Sequence, residues 1–270
     1  VVFTTAMSGY QESVTDPSFA GQILTFTLPH VGNYGVSEAA MESDRIHVRG
    51  VVMHKGMNNE DAPSSEVGWL DWLIDCGIPA IDGIDTRALV RHIRSLGAMR
   101  GGIFPAGVDV GEALERVRAS SSMSGANLAA TVTPETMIEL GPLGEGPAVR
   151  IAVIDTGVKD SIVRKLRERG ATVELHPCTV SPDDLLAGPA DAFFLANGPG
   201  DPAALDGIVD TVRQLLGKRP VWGICLGHQL LSRAVGLETW KLPFGHRGAN
   251  HPVKDLTTGM VEITSQNHGF

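Results

Sequence analysis

The chain has 270 residues, 43% of them hydrophobic, and its 22 basic and 31 acidic residues give a net charge of −9. This length predicts about two domains, each with its own core. The acidity is spread along the chain, which argues against a nucleic-acid or anionic-membrane partner because such partners usually need a basic face. No apolar run approaches the ~20 residues that span a bilayer. The cysteines Cys76, Cys178 and Cys225 are odd in number and share no CxxC spacing, so we expect no disulfide framework, no zinc site and a reducing, cytoplasmic location.

The first half of the sequence predicts a mixed α/β domain. Residues rich in β-formers predict strands at 22–28 and 49–53. Apolar residues at helical spacing predict helices at 65–76, from Asp85 to a C-cap at Gly97, and at 111–118. The run Ser-Ser-Ser-Met-Ser-Gly at 120–125 predicts a surface loop.

A segment rich in proline and glycine at 142–148 predicts a linker between a domain at 1–141 and a domain at 149–270. The second domain alternates predicted strands (149–155, 171–175, 191–196 and 221–224) with predicted helices (160–169, a short one from 181, 203–216 and 227–235). This alternation predicts a doubly wound, mostly parallel sheet. Ligands bind such sheets beyond the carboxyl ends of the strands, so chemistry is expected there.

One of these strand ends has the pattern of a nucleophile elbow. Residues 223–227 read Gly-Ile-Cys-Leu-Gly between a predicted strand and a predicted helix, which is the form G-x-S-x-G with cysteine in place of serine. Such a turn needs small flanking residues because the nucleophile has a strained backbone. It would place the sulfur of Cys225 at the positive end of the helix, where a thiolate is favoured. The alternative is a buried cysteine between two incidental turn glycines.

A second strand end carries the loop Ala-Asn-Gly-Pro-Gly-Asp-Pro at 196–202. Two glycines and two prolines make this loop rigid and let a ligand approach its backbone. Fixed N–H groups there could stabilise an oxyanion, each contributing ~3 kcal/mol to acyl transfer. The loop alone is typical of an ordinary tight turn, but a cysteine elbow on a neighbouring strand favours a role in a site.

The chain resembles a known family at these positions. Residues 223–230 (Gly-Ile-Cys-Leu-Gly-His-Gln-Leu) and the loop at 197–202 resemble the class I glutamine amidotransferases. The segments that narrow the resemblance to the small subunit of carbamoyl-phosphate synthetase are 7–18, 85–87, 244–255 and 264–270. The resemblance covers essentially the whole chain, and it implies a fragment that lacks the start of the N-terminal domain and the C-terminal part of a class I glutaminase domain. The sequence departs from the family at 155–157 and Asp160, where an aromatic and a basic residue are more usual, and these positions are expected to lie away from the chemistry.

The resemblance implies a role for each matching residue. Cys225 would attack the side-chain amide of L-glutamine, giving a γ-glutamyl thioester and ammonia, and the N–H groups of Gly200 and Leu226 would hold the oxyanion. The glutamine-binding positions that the resemblance implies are Ser18, Gly198, Gly200, Leu226, Gln229, Asn267, Gly269 and Phe270. Simpler roles stay open for four of these: turn capping for Ser18, a solvated helix position for Gln229, turn formation for Asn267 and core packing for Phe270.

The catalytic base is not assigned. The family's histidine and glutamate lie in a His-Pro-Glu segment well downstream of Asn-His-Gly-Phe, and this sequence stops at Phe270, so the fragment alone is expected to be inactive. His251 and Pro252 are followed by Val253 rather than by a carboxylate. His228 and His268 have ordinary helix and turn roles open to them.

No phosphate-binding loop of the form G-x-x-x-x-G-K-[ST] occurs in the sequence. We therefore expect no cofactor and no metal on this chain. The resemblance implies that ATP and Mg²⁺ are bound by a large synthetase subunit, which would pair with this chain as a heterodimer or higher oligomer and receive ammonia through a tunnel. Two alternatives stay open: a non-catalytic regulatory or scaffold chain, and a cysteine hydrolase that acts on another substrate.

Overall fold

The computed structural model describes residues 1–59, 61–63 and 65–270. The strands are Val2–Thr4 (β1), Ile23–Phe26 (β2), His30–Val31 (β3), Gly50–Val52 (β4), Lys55–Gly56 (β5), Ala80–Ile81 (β6), Ile138–Leu140 (β7), Arg150–Asp155 (β8), Thr172–Pro177 (β9), Ala192–Leu195 (β10), Val221–Gly223 (β11), His246–Lys254 (β12) and Val261–His268 (β13). The helices are Tyr10–Thr15 (α1), Trp69–Asp75 (α2), Thr86–Leu96 (α3), Val110–Ala119 (α4), Asp160–Glu168 (α5), Pro182–Ala187 (α6), Asp206–Leu215 (α7) and Leu226–Ala234 (α8). Each strand and helix predicted from the sequence is present at or near its predicted position.

The chain forms two compact units, and their limits differ from the predicted domains 1–141 and 149–270. The first unit comprises Val1–Thr15, Gly21–Ser122 and Lys241–Gly269, and the second comprises Asp16–Ala20, Met123–Trp240 and Phe270. Strand β7 precedes the predicted linker at 142–148 but pairs antiparallel with β9, so it joins the second unit. The hairpin β12–β13 joins the first unit, where the carbonyl of Arg247 accepts the N–H of Thr5 (3.0 Å).

The first unit is built on a parallel sheet in the order β1-β2-β4-β6. Trp69 of α2 is completely buried, and its indole N–H donates to the sulfur of Met53 (3.2 Å). Helix α3 begins where the sequence predicts, because the carboxylate of Asp85 caps it by accepting the N–H of Ala88 (2.9 Å). It ends at Gly97, whose φ of 93° lies in the left-handed region that glycine tolerates.

The second unit has a sheet in the order β11-β10-β8-β9-β7, in which only the pairing of β7 is antiparallel. Its two faces are covered separately. Phe193 of β10 packs in a cluster with residues of α6, α7 and α8, whereas its neighbour Phe194 packs with Val163 of α5. Adjacent residues of a strand point to opposite faces. The predicted doubly wound, mostly parallel α/β fold is therefore confirmed.

The strand order fixes where a ligand would bind in the second unit. From β8 the chain passes to β9 on one side, and it then returns to β10 on the other side of β8. The carboxyl ends of β8 and β10 therefore flank a topological switch point, which is where open α/β sheets bind ligands. None of the helices among the described residues has the length and apolar character needed to cross a lipid bilayer.

A matched pair of leucines tests this account of the core. Leu215 of α7 is completely buried, whereas Leu256, between β12 and β13, is 88% exposed. We expect Leu215→Ala to lower the free energy of unfolding by about 2–5 kcal/mol, because it leaves a cavity in the cluster around Phe193. Leu256→Ala should change it by less than about 0.5 kcal/mol. Urea denaturation followed by tryptophan fluorescence measures both, and equal effects would contradict the assignment of the core.

Candidate active site

Cys225 lies in the sharp turn that the sequence predicts between a strand and a helix. It has φ 53° and ψ −110°, and it is the only non-glycine residue with a positive φ in the part of the chain that the structure describes. Such a backbone costs about 1–3 kcal/mol and persists only where the surroundings enforce it. The residue is the N-cap of α8 and is partly exposed. A strained, accessible thiol therefore lies at the positive end of a helix.

The two glycines of the turn are required by close packing. A Cβ on Gly223 would lie 2.4 Å from the carbonyl carbon of Gly227. A Cβ on Gly227 would lie 2.0 Å from the carbonyl oxygen of Leu195, at the end of β10. Neither position has room for a side chain. The glycines are therefore required by packing rather than incidental, and Cys225 is partly exposed rather than buried.

The other two cysteines lie in surroundings that disfavour a thiolate. Cys178 is buried, and burial raises the pKa of its thiol. Cys76 is exposed but follows the C-terminal end of α2. Partial burial raises the pKa of the Cys76 thiol, and the nearby carboxylate of Asp75 raises it further. Neither thiol resembles Cys225 in position.

The loop after β10 is tightly held. A Cβ on Gly198 would lie 2.0 Å from the carbonyl oxygen of Thr156, and Gly200 has a φ of 98°. The buried carboxylate of Asp201 accepts the N–H of Ala203 and the N–H of Gly125, each at 2.8 Å. The loop thus keeps one conformation, as its two glycines and two prolines predict.

Packing brings this loop against the cysteine turn. A Cβ on Gly198 would lie 3.1 Å from Cδ2 of Leu226, which is the residue after Cys225. The N–H of Ile224 donates to the carbonyl of Leu195 (3.1 Å), which ties the turn to the end of β10. Gly198 and Leu226, two of the predicted glutamine-binding residues, are therefore neighbours. Their binding roles stay predictions.

Ser18 is the predicted site residue from the N-terminal half of the sequence. It lies in the 3₁₀ turn Pro17–Phe19, within the segment Asp16–Ala20 that belongs to the second unit. Its hydroxyl oxygen accepts a hydrogen bond from Nδ2 of Asn197 (2.9 Å). The turn is capped instead by Asp16, whose carboxylate accepts the N–H of Ser18 (2.8 Å). The simpler role of side-chain capping is therefore filled by Asp16.

The remaining predicted residues are divided between the two units. Nε2 of Gln229 on α8 donates to the carbonyl of Phe270 (2.7 Å), so Gln229 is not merely solvated, and Phe270 is partly exposed rather than core. Asn267 and Gly269 belong to the first unit. Asn267 lies opposite Arg247 in the β12–β13 ladder and so is not a turn residue.

The sequence led us to expect that the turn at 155–157 lies away from this site. In the structure it lies beside the loop after β10. The hydroxyl of Thr156 lies 3.0 Å from the carbonyl oxygens of both Ala196 and Asn197, and it donates to them. The carboxylate of Asp155 accepts the N–H groups of Gly157 and Val158, each at 2.8 Å. Burial raises the pKa of Asp155, and those two N–H groups act in the opposite direction. The expectation is wrong because the ends of β8 and β10 adjoin in the sheet.

The three histidines that the sequence places near the site residues lie on α8 and on the hairpin β12–β13. The side chain of His228 is exposed on α8, one turn of helix after Cys225. Nδ1 of His246 lies 3.1 Å from Nε2 of His268, both on the hairpin of the first unit. Among the residues that the structure describes, no group of three or more His, Cys, Asp or Glu side chains could hold a metal ion.

Comparisons with known proteins match both halves of the chain to the family that the sequence resembles. Residues 1–103 match the family described as "Carbamoyl-phosphate synthase small chain, CPSase domain", and residues 152–270 match "Glutamine amidotransferase class-I". Three relatives are each named carbamoyl phosphate synthase small chain. The protein from Thermosynechococcus vestitus is 48% identical, with 100% of this chain and 74% of the relative aligned. Those from Nitratidesulfovibrio vulgaris and Thermotoga maritima are each 45% identical, with 100% of this chain and 75% and 68% of the relative aligned.

A pair of helical glycines tests whether close packing holds Cys225 in its turn. Gly227→Ala would place a methyl group against the Leu195 carbonyl, so we expect a lower melting temperature and a change in the rate at which iodoacetamide alkylates Cys225. Gly207 lies on α7 with nothing within 4 Å of a Cβ. Gly207→Ala should leave alkylation unchanged and stabilise the helix by up to about 1 kcal/mol. Thermal unfolding and peptide mass spectrometry measure both effects, and a silent Gly227→Ala would refute the steric argument.

Proposed function

The chain belongs to the carbamoyl-phosphate synthase small chain family, and we propose that it hydrolyses glutamine for that synthase with Cys225 as the nucleophile. The observation that carries this proposal is the backbone of Cys225, strained to φ 53° at the N-terminus of α8 between two glycines that cannot be larger. A protein that used this residue only for packing would have no need of such a turn.

The proposed reaction has two stages. The thiolate of Cys225 attacks the side-chain amide carbon of L-glutamine, and the C–N bond then breaks, leaving a γ-glutamyl thioester. The departing nitrogen takes up a proton and leaves as ammonia. Water then attacks the thioester carbon, which releases glutamate and regenerates the thiol. Both stages pass through a tetrahedral intermediate that carries a negative oxygen.

Backbone N–H groups are proposed to stabilise that oxygen. The candidates are the N–H groups of Gly200, in the rigid loop after β10, and Leu226, at the first turn of α8. Support comes from the fixed conformation of the loop and from its packing against Leu226. Donors that are already in place cost no reorganisation when the charge develops, and each contributes ~3 kcal/mol.

The ammonia is proposed to pass to a partner chain. Carbamoyl phosphate synthesis needs ATP, and this sequence has no P-loop. We therefore assign ATP and Mg²⁺ to a large synthetase subunit that assembles with this chain and uses the ammonia with bicarbonate. The small-chain names of the relatives imply such a partner.

Replacing the nucleophile tests the proposal directly. In the intact protein assembled with its synthetase partner, we expect Cys225→Ser to reduce glutamine-dependent carbamoyl phosphate synthesis by at least about a thousandfold, because a neutral alcohol is a much weaker nucleophile than a thiolate. Synthesis from added ammonium should be unchanged. Both rates can be measured by trapping the product at saturating ATP.

Cys76→Ser is the matched control, since it changes an exposed thiol in the first unit and should alter neither rate. Equal loss of both activities in Cys225→Ser would assign Cys225 a structural role. Full retention of glutamine-dependent synthesis would instead favour a non-catalytic scaffold chain.

A further inference from the structure

Helix α3 carries a row of exposed arginines that the reaction described above does not use. Arg87, Arg91 and Arg94 follow one another at intervals of four and three residues. A helix turns by about 100° per residue, so the three side chains lie within about 60° of arc and extend over about 10 Å along its axis. Ile93, on another side of α3, is completely buried in the first unit. This arginine row therefore faces away from the core.

The arginine row has no acidic partner among the described residues, where none of its three side chains takes part in a hydrogen bond or an ion pair. Helix α3 itself contains neither Asp nor Glu. The exposed helix α4 of the same unit differs in this respect. On α4, Nη1 of Arg116 lies 3.8 Å from Oε1 of Glu112. Nη1 of Arg118 lies 2.8 Å from Oε1 of Glu115. The positive charge of α4 is thus compensated within the helix, whereas that of α3 is not.

The arginine row is unfavourable for the chain by itself. Like charges four residues apart on a helix repel each other, as those of Arg87 and Arg91 do. Arg87 also lies in the first turn of α3, where unsatisfied N–H groups already give the end of the helix a partial positive charge. All three side chains are exposed, so the packing of the unit does not require a guanidinium at these positions. A role in binding an anionic group accounts for the row.

The chemistry of the arginine row favours one kind of partner. A guanidinium presents a planar fork of N–H donors that matches a carboxylate in a bidentate pair. The chain as a whole has a net charge of −9, so it repels extended polyanions such as nucleic acids and anionic membranes. A short row of carboxylates on a protein surface can meet the arginine row without that wider repulsion.

This deduction rests on the proposed function, in which the chain assembles with a large synthetase subunit, as the small-chain names of the relatives imply. We propose that the arginine row of α3 docks against an acidic surface of that subunit, where Asp or Glu side chains pair with the three guanidinium groups. Such pairing would speed the encounter of the two chains and fix their relative orientation.

Charge reversal in the intact protein tests this surface. We expect the double variant Arg91→Glu, Arg94→Glu to raise the dissociation constant for the purified synthetase partner by at least about a hundredfold at low salt, because two attractive pairs become repulsive. The effect should shrink as sodium chloride is added, since salt screens exposed charges. Glutamate forms helices about as well as arginine, so α3 should still fold. Titration of the fluorescently labelled small chain with its partner gives the dissociation constant.

The double variant Arg116→Glu, Arg118→Glu is the matched control, since it makes the same change in net charge on another exposed helix of the same unit. It should change the dissociation constant by less than about threefold, because surface charges outside an interface contribute little. Equal weakening by both double variants would show that net charge alone governs assembly, and it would overturn the proposal. An unchanged dissociation constant in the α3 variant would overturn it as well.

A lysine variant identifies the partner groups and does not depend on the folding of a charge-reversed helix. Arg91→Lys keeps the positive charge and supplies an amine, which a carbodiimide joins to a carboxylate in contact with it. We expect peptide mass spectrometry of the assembled protein to show position 91 linked to an Asp or Glu of the synthetase partner. Links only to a second copy of this chain, or no links, would overturn the proposal. So would binding of a single-stranded oligonucleotide or of phosphatidylserine vesicles that competes with the partner for α3.

These outcomes are distinct from a failure of the proposed function. Assembly is measured without turnover, and Cys225→Ser should bind the synthetase partner as tightly as the native chain does. A failure of the proposed function would instead appear as glutamine-dependent activity that is retained in Cys225→Ser with the arginine row native.

Discussion

The left-handed backbone of Cys225 is the constraint on which the site depends. A cysteine at φ 53° is strained by about 1–3 kcal/mol, and the chain offsets that strain by packing around it. Gly227 lies directly against the carbonyl of Leu195, and Leu226 and Leu230 of α8 are buried in the cluster around Phe193. The first turn of α8 is therefore seated on the end of β10. The thiol takes its position from the most buried strands of the sheet.

Buried polar groups at the ends of β8 and β10 supply the rest of the rigidity. Asp155, Thr156, Asn197 and Asp201 are all at most 8% exposed, and each is hydrogen-bonded to backbone groups of a neighbouring turn. A polar group buried without a partner destabilises the fold by about 1–3 kcal/mol. Each of these side chains therefore stabilises the arrangement of the turns in which it is hydrogen-bonded. It destabilises any arrangement of the turns in which it is buried without a partner. These hydrogen bonds therefore select one conformation of the loop at the switch point.

The sequence predicted the elements whose patterns are local. Alternating apolar strands and helices indicated the doubly wound sheet, and the glycines at 223 and 227 indicated the turn at Cys225. The hairpin β12–β13 gave no such signal, because its strands are mostly exposed and one of them contains Pro252. The compact units could not be derived from the linker at 142–148, since β7 and the hairpin each pack with elements distant in sequence. The local periodicity of a sequence does not show which distant element a strand will pair or pack with.

Thr156 shows how a departure from the family pattern can be compatible with the same site. The resemblance implies that an aromatic and a basic residue are more usual across positions 155–157 and 160. In this chain the threonine hydroxyl donates to both carbonyls, so the end of β10 is held by a hydrogen bond to the turn after β8. The sequence alone gave no reason to connect positions 156 and 197, which are about forty residues apart. The parallel pairing of β8 with β10 makes them neighbours, and the turn at 155–157 is part of the support for the loop.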